Sequence, residues 1–273
     1  MLRKISFFIS FVLMFCKSLS AQSNNASIVQ RTDTLINAAY KQGIFSGMIA
    51  LLHNGKEIYY KAFGYADWQN KKEFTRNTLF NIGSLNKQFT EEMIHQLVHE
   101  KKLSYSDKLN AILNLFPNEQ GAKISIQMLL NMQSGLGDYL QAKAFKELSE
   151  QDFTLNQLID LIKAEPLLYE PGTSERYSNS GYAVLGAVIE KITGKSYEEN
   201  LTERIAKPLK LKLLLYKKES ILQQDAAASG TILDMEGNKI NKDHIINATP
   251  AGGIYCSIND LIAFTEAKRK NEN

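Results

Sequence analysis

The chain has 273 residues, with 32 basic and 29 acidic side chains and a formal net charge of +3. Three of the basic residues lie in the first 21 positions, which contain no acid, so the remainder has 32 − 3 = 29 basic and 29 acidic residues. Without a basic excess, neither nucleic acid nor an anionic membrane surface is expected as a partner. Only Cys256 lies beyond position 21, which excludes an intramolecular disulfide there, so an apolar core must hold this part of the chain together.

The first 21 residues have the order of a secretory signal peptide. A basic start precedes an apolar run from Ile5 to Phe15, and small or polar residues follow as far as Ala21. The apolar run is too short to cross a bilayer as a helix. We predict cleavage after Ala21 and an exported chain, periplasmic or secreted. Lipid attachment at Cys16 is disfavoured, because a bulky phenylalanine precedes it.

Hydrophobic periodicity predicts a helix, a hairpin and then a long helical region. The first helix covers residues 28–40. Two β-like runs, 48–53 and 56–66, flank Asn54-Gly55, a pair typical of tight hairpin turns. The next predicted helix starts after Ser84 and runs to about residue 100. Further helices are predicted over 126–132, 155–164, 180–192, 197–205 and 259–270. Gly194 lies just past the end of the helix at 180–192, a position that favours glycine.

Ser84 and Lys87 are the first candidates for catalysis. Residues i and i+3 share one face of a helix, so the lysine amine can reach the serine hydroxyl. A serine hydroxyl becomes a good nucleophile only when a base takes its proton, and a desolvated neutral lysine can be that base. The alternative is an ordinary helix start, with Ser84 as its cap and Lys87 in solvent, because chance alone gives this spacing in a chain so rich in serine and lysine.

A second group of polar residues follows a Pro-Gly-Thr turn at 171–173. Tyr177 and Asn179 lie on a segment that leads into an apolar helix, so both side chains can point into one cleft. If that cleft also holds Ser84 and Lys87, Tyr177 can take or return a proton, and the lysine ammonium would stabilise its phenolate. Asn179 has a donor and an acceptor end, so it can bond both Lys87 and a substrate amide.

Two other motifs each lack a residue that the site they resemble requires. His95 and His99 have the i, i+4 spacing of a zinc pair, but Gln96 stands where metalloproteases have a glutamate. Gly194-Lys195-Ser196 ends like a phosphate-binding loop, but Ile189 occupies the position of its first glycine. We therefore predict no metal and no cofactor.

Four segments occur in an order that goes beyond these local patterns. They are Phe80–Thr90 around Ser84, Leu129–Tyr139, Pro171–Tyr182 around Tyr177, and Ala251–Leu261. Together they resemble the serine beta-lactamase-like family, which includes class C beta-lactamases, DD-peptidases and related esterases, and the resemblance covers nearly all of residues 28–265. It implies an α/β (α+β) fold, with helices flanking an antiparallel sheet and an all-helical subdomain.

The resemblance also implies roles for the candidate residues. Ser84 would be the acyl-accepting nucleophile, and its backbone N–H would form half of an oxyanion hole. Lys87 and Tyr177 would move the protons, and Asn179 would position the substrate. We therefore expect an exported serine hydrolase that cleaves an amide, lactam or ester in a small molecule or cell-wall peptide through an acyl-enzyme.

The expected domain organisation follows from the same resemblance. After the signal peptide at 1–21, residues 22–273 would form one incomplete domain: helix and hairpin of the α/β lobe at 28–82, a mostly helical lobe at 83–250, and the start of the return to the α/β lobe at 251–273. The family's Lys/His-x-Gly strand, its last strands and its closing helix do not occur before Asn273. We expect a C-terminally truncated member with low or absent activity. The alternative is a non-catalytic remnant that at most binds cell-wall peptide or a protein partner.

Smaller departures from the family pattern fall at defined positions. Lys101-Lys102 replaces a usual glycine turn, and Lys210 stands where a glycine commonly follows Pro-Leu. Met132 stands where many members have a histidine. Cys256 is expected to be a small buried residue.

Overall fold

The computed structural model describes residues 25–116, 122–149, 153–212, 214–224, 226–233, 239–241, 245 and 247–271. The chain divides into two compact units. One contains the described residues of Met1–Thr75 and Ser229–Lys242, and the other those of Arg76–Ala228 and Asp243–Asn273. The predicted signal peptide at 1–21 lies outside the described residues and stays a prediction.

The first unit is built on a helix and a hairpin. Helix α1 covers 25–41, and strands β1 (Gly47–His53) and β2 (Lys56–Phe63) pair antiparallel. Asn54 and Gly55 between them have φ angles of 51° and 75°, so the predicted hairpin turn is confirmed. Two short antiparallel pairs complete the unit: β3 (Tyr65–Asp67) with β4 (Lys72–Glu73), and Thr231–Leu233 with Lys239–Asn241.

Helix α1 is joined to the hairpin by one carboxylate. Asp33 accepts hydrogen bonds from Lys61 Nζ and Tyr59 Oη, both at 2.9 Å. The bond from Lys61 contributes most to lowering the pKa of Asp33. Phe63 fills the space beneath, in contact with the rings of Tyr40 and Phe45. Phe63 of the second strand therefore packs between aromatic rings of this unit.

The second unit holds most of the helices. They are α2 (Lys87–His99), α3 (Leu109–Ile112), α4 (Ile126–Leu130), α5 (Lys143–Ser149), α6 (Leu155–Ala164), α7 (Asn179–Thr193), α8 (Tyr197–Leu201), α9 (Lys207–Leu209), α10 (Lys218–Leu222) and α11 (Ile258–Asn271), with 3₁₀ turns at Gly83–Asn86 and Tyr139–Gln141 and a π-helical turn at Thr202–Ala206. Within the described part of the chain, no helix combines the length and the apolar character needed to cross a bilayer.

Helices α2 and α7 lie at the centre of the core. Every residue of α7 from Asn179 to Ile189 is buried, and α2 buries the apolar side chains Phe89, Met93, Ile94 and Leu97. Burying one large apolar side chain stabilises a fold by about 1.5–3 kcal/mol, so these two helices form a rigid platform. Helix α7 ends at Gly194, whose φ of 70° confirms the predicted glycine position.

A small sheet lies beside the two central helices. Strand β7 (Tyr255–Ser257) pairs antiparallel on one side with β5 (Leu79–Asn81) and on the other with β6 (Leu214–Leu215). Cys256 lies at its centre and is 1% exposed, as expected of a small buried residue. Burial raises the pKa of its thiol to about 12. This mixture of helices and antiparallel strands confirms the predicted fold class.

Two of the sequence departures coincide with strained backbone. Lys101 and Lys210 have φ angles of 58° and 55°. Each ends a helix in a Schellman motif: Lys101 N–H bonds Val98 O and the next N–H bonds Leu97 O, and the same pair of bonds recurs at 210 and 211. This motif favours glycine, because the left-handed region costs other residues about 1–2 kcal/mol.

Substitution of these lysines by glycine should therefore stabilise the protein. Relief of the left-handed strain exceeds the added freedom of glycine in the unfolded chain, so Lys101→Gly and Lys210→Gly should each raise the free energy of unfolding by about 0.5–1 kcal/mol. Lys191→Gly is the matched control, since Lys191 is exposed within helix α7 and its replacement should lower stability instead. Chemical denaturation measures all three. A loss of stability in both Lys101→Gly and Lys210→Gly would contradict the conclusion that these lysines are strained.

Candidate active site

Ser84 lies at the sharp junction between strand β5 and helix α2. Gly83 adopts a φ of 52°, and its N–H donates to Asn81 Oδ1 at 2.9 Å. The helix expected after Ser84 begins with a 3₁₀ turn at Gly83–Asn86, ahead of the α-helix that starts at Lys87. Residues i and i+3 eclipse one another in a 3₁₀ turn, so the Lys87 side chain still lies on the same side as Ser84.

Three polar atoms form a compact triangle at this junction. Ser84 Oγ lies 2.5 Å from Tyr177 Oη, while Lys87 Nζ lies 2.7 Å from Tyr177 Oη and 3.3 Å from Ser84 Oγ. Ser84 is exposed and Tyr177 is 52% exposed, whereas Lys87 is only 7% exposed. The two hydroxyls therefore face solvent, and the amine supports them from the protein side.

Two carbonyl oxygens hold the lysine from behind. Lys87 Nζ donates to Asn179 Oδ1 at 2.6 Å and to the backbone oxygen of Ala251 at 2.7 Å. A carbonyl oxygen only accepts, so these two contacts use two N–H groups of the amine. The remaining position of the nitrogen faces the two hydroxyls. In this position the lysine can donate a third hydrogen bond when protonated, or accept a proton when neutral.

Asn179 reaches Lys87 from the first residue of α7. Ser178 caps this helix: its Oγ accepts from Gly181 N–H at 3.2 Å and donates to Gly137 O at 2.7 Å. The other end of the Asn179 amide donates to Asp138 Oδ2 at 2.8 Å. The structure thus brings all four predicted residues together and adds Asp138, which the sequence indicated only as part of the segment Leu129–Tyr139.

The Ala251 carbonyl belongs to a turn that helix α2 holds in place. Asn86 Nδ2 donates to Thr249 O and Thr90 Oγ1 donates to Pro250 O, each at 2.6 Å. The turn closes on itself, with Thr249 N–H bonded to Gly252 O at 2.8 Å. This backbone contact could not be predicted from the sequence, because every residue type has a backbone carbonyl oxygen.

Gly252 brings the same turn against the backbone of the nucleophile segment. A Cβ at this position would lie 3.4 Å from Gly83 O and 3.9 Å from Ser84 N. These are ordinary van der Waals distances, so the turn packs directly against the backbone that presents Ser84. The turn therefore fixes both the lysine and the peptide group that precedes the serine.

His95, one of the two histidines that share a face of helix α2, has protein partners for both ring nitrogens. His95 Nδ1 lies 2.7 Å from Tyr105 Oη, and its Nε2 lies 3.6 Å from Glu91 Oε1. Among the residues that the structure describes, no group of three or more His, Cys, Asp or Glu side chains is placed to hold a metal ion. His95 connects α2 to the following loop.

Comparison with known proteins assigns the family. The family model described as Beta-lactamase matches residues 27–273. The chain belongs to the beta-lactamase family. The resemblance found in the sequence is confirmed. A teichoic acid D-alanine hydrolase from Staphylococcus aureus is 30% identical over 227 residues, which are 83% of this chain and 55% of the relative. This beta-lactamase family chain thus spans about half the length of the curated relatives it matches.

Two solved structures superpose on most of the chain. An octameric penicillin-binding protein homologue from Pyrococcus abyssi has a TM-score of 0.78 and 27% identity, and the match covers 90% of this chain and 57% of that one. A D-amino acid amidase from Ochrobactrum anthropi SV3 has a TM-score of 0.69 and 23% identity, over 81% and 65% of the two chains. The second likeness shows the fold alone. The enzymes named among these relatives are hydrolases.

Proposed function

We propose that this beta-lactamase family member is a serine hydrolase that forms an acyl-enzyme on Ser84. The observation that carries the proposal is the triangle of Ser84 Oγ, Tyr177 Oη and Lys87 Nζ, with its lysine buried and its serine exposed. A nucleophile within hydrogen-bond distance of its base, with the base oriented by a third group, is the general arrangement for nucleophilic catalysis.

Tyr177 is the better placed base for acylation. Its oxygen lies 2.5 Å from Ser84 Oγ, whereas Lys87 Nζ lies 3.3 Å away. In the proposed step, Ser84 Oγ bonds to the substrate carbonyl carbon while its proton passes to the Tyr177 phenolate. The Lys87 ammonium, 2.7 Å from that phenolate, stabilises its negative charge. Tyr177 then returns the proton to the leaving nitrogen or oxygen.

The substrate carbonyl needs hydrogen-bond donors as its oxygen gains charge. We propose the backbone N–H of Ser84 as one of them, and such a donor typically contributes about 3–4 kcal/mol of transition-state stabilisation. In deacylation a water molecule attacks the acyl carbon, Tyr177 takes its proton, and Ser84 Oγ leaves with a proton returned through the same triangle. Apart from the substrate and the attacking water molecule, these steps use only groups of this chain.

The proposed substrate is an amide, lactam or ester, in a small molecule or a cell-wall peptide. One curated relative is named teichoic acid D-alanine hydrolase, and a structural relative is named D-amino acid amidase. We therefore propose D-aminoacyl esters and amides as the first substrates to test beside penicillins. A non-catalytic protein that only binds cell-wall peptide is the alternative, and it would bind without forming an adduct.

Covalent labelling tests this proposal directly. The full chain is incubated with a fluorescent penicillin, a D-alanyl ester and a D-alanyl-D-alanine peptide, and the modified peptide is identified by mass spectrometry. One adduct per chain should form on Ser84 with at least one of them. Ser84→Ala should abolish it, while Ser174→Ala, which changes an exposed serine ahead of Tyr177, should not. Absence of an adduct with all three reagents, or labelling that survives Ser84→Ala, would overturn the proposal.

We also propose that the chain is exported. The support is the basic, apolar and small-residue order of positions 1–21. N-terminal sequencing of the protein recovered outside the cytoplasm should begin at Gln22. Recovery of the chain only inside the cytoplasm, with Met1 retained, would refute export.

A further inference from the structure

The carboxylate of Asp138 has two oxygens with two different tasks. Oδ1 accepts from the backbone N–H of Leu140 at 3.1 Å, which caps the 3₁₀ turn at Tyr139–Gln141. Oδ2 accepts from Asn179 Nδ2 at 2.8 Å. The side chain is half-buried, so the backbone of its own loop fixes which oxygen is presented to the asparagine.

The contact decides which way round the Asn179 amide lies. The two ends of an asparagine amide have nearly the same shape, so only their hydrogen-bond partners distinguish them. An ionised carboxylate accepts but does not donate, and it therefore selects the NH₂ end. The Oδ1 end is then turned toward Lys87 Nζ, at 2.6 Å. The reversed amide would place N–H groups against the N–H groups of the lysine.

The orientation of Asn179 in turn determines where the lysine directs its last hydrogen bond. Asn179 Oδ1 and Ala251 O occupy two N–H groups of Lys87, which leaves one position toward Tyr177 Oη. Without the asparagine acceptor, the amine can rotate away from the tyrosine. We infer that Asp138 is a positioning residue for acylation of Ser84, acting through the amide of Asn179 on Lys87; this inference rests on the proposed function.

Asp138→Asn tests the inference with almost no change in shape. The Leu140 N–H keeps the oxygen of the new amide, so its NH₂ group faces the NH₂ group of Asn179. Either Asn179 turns over and loses Lys87, or the contact between positions 138 and 179 breaks. Acylation of Ser84 by the fluorescent penicillin should slow about 10- to 100-fold, the usual result of misplacing a catalytic group. The pH profile of acylation should also shift.

Exchanging the residue types at positions 138 and 179 gives a more specific test than the single variant. In the double variant Asp138→Asn with Asn179→Asp, the new amide at 138 donates to the new carboxylate at 179. The other oxygen of that carboxylate accepts from Lys87 Nζ. Acylation should recover about tenfold over Asp138→Asn and exceed that of Asn179→Asp, in which two carboxylates face each other. A merely structural role for Asp138 would give no such recovery.

A matched control and an independent signal separate the possible failures. Asp160→Asn removes an exposed carboxylate that pairs with Lys163, and it should acylate at the wild-type rate. If wild type itself forms no adduct, the proposed function fails and the inference fails with it, whereas NMR tests the contact between Asp138 and Asn179 separately. The Asn179 side-chain NH₂ resonances of wild type should shift as the adjacent carboxylate is protonated at low pH.

Three results would overturn the inference. They are wild-type acylation by Asp138→Asn, a double variant no faster than both single variants, and Asn179 NH₂ resonances that do not respond to low pH. The last measurement uses the unaltered protein, so it tests the contact on which the inference depends even if the variants do not fold. Thermal unfolding shows which variants are folded, and acylation rates are compared only among those.

Discussion

The burial of the Lys87 amine among oxygen atoms is the interaction on which the site depends. A buried amine is costly unless its hydrogen-bonding positions find partners. Here Asn179 Oδ1, Ala251 O, Tyr177 Oη and Ser84 Oγ surround the nitrogen within 3.3 Å. These oxygens come from the start of α7, the turn before β7, the loop before α7 and the turn before α2. Displacement of the start of α7 or of the turn before β7 removes a carbonyl acceptor and leaves the lysine with an unfilled position.

The small sheet and helices α2 and α7 hold those elements in fixed positions relative to one another. Strand β5 leads into the turn that carries Ser84, strand β7 follows the turn that carries Ala251, and the two strands pair antiparallel. The pairing continues just beyond β5, where Ile82 N–H bonds Ile254 O at 2.9 Å. Helix α2 begins three residues after Ser84, and helix α7 begins at Asn179. The buried core therefore reaches the residues that carry the proposed chemistry.

Local sequence signals were sufficient where the structure depends on neighbours in sequence. The Asn54-Gly55 turn, the helix end at Gly194 and the apolar face of α2 could all be predicted in this way. The grouping of Ser84, Lys87, Tyr177 and Asn179 could be predicted only by combining helix spacing with the family resemblance. Two contacts escaped prediction because tertiary folding creates them: Asp138 bonds Asn179 across 41 residues, and Ala251 O bonds Lys87 across 164. The strained backbone at Lys101 and Lys210 was indicated in the sequence only by lysine at positions where the family usually has glycine.

We propose that a buried lysine, held by two carbonyl oxygens, makes Ser84 reactive. The most direct measurement is the second-order rate constant for modification of Ser84 by a fluorophosphonate in wild type and in Lys87→Met. Methionine has a similar length but cannot donate a hydrogen bond or carry the charge. With folding verified by thermal unfolding, the account predicts a rate at least about 100-fold lower in the variant, as expected for loss of proton-transfer assistance. Equal rates in the two folded proteins would contradict it.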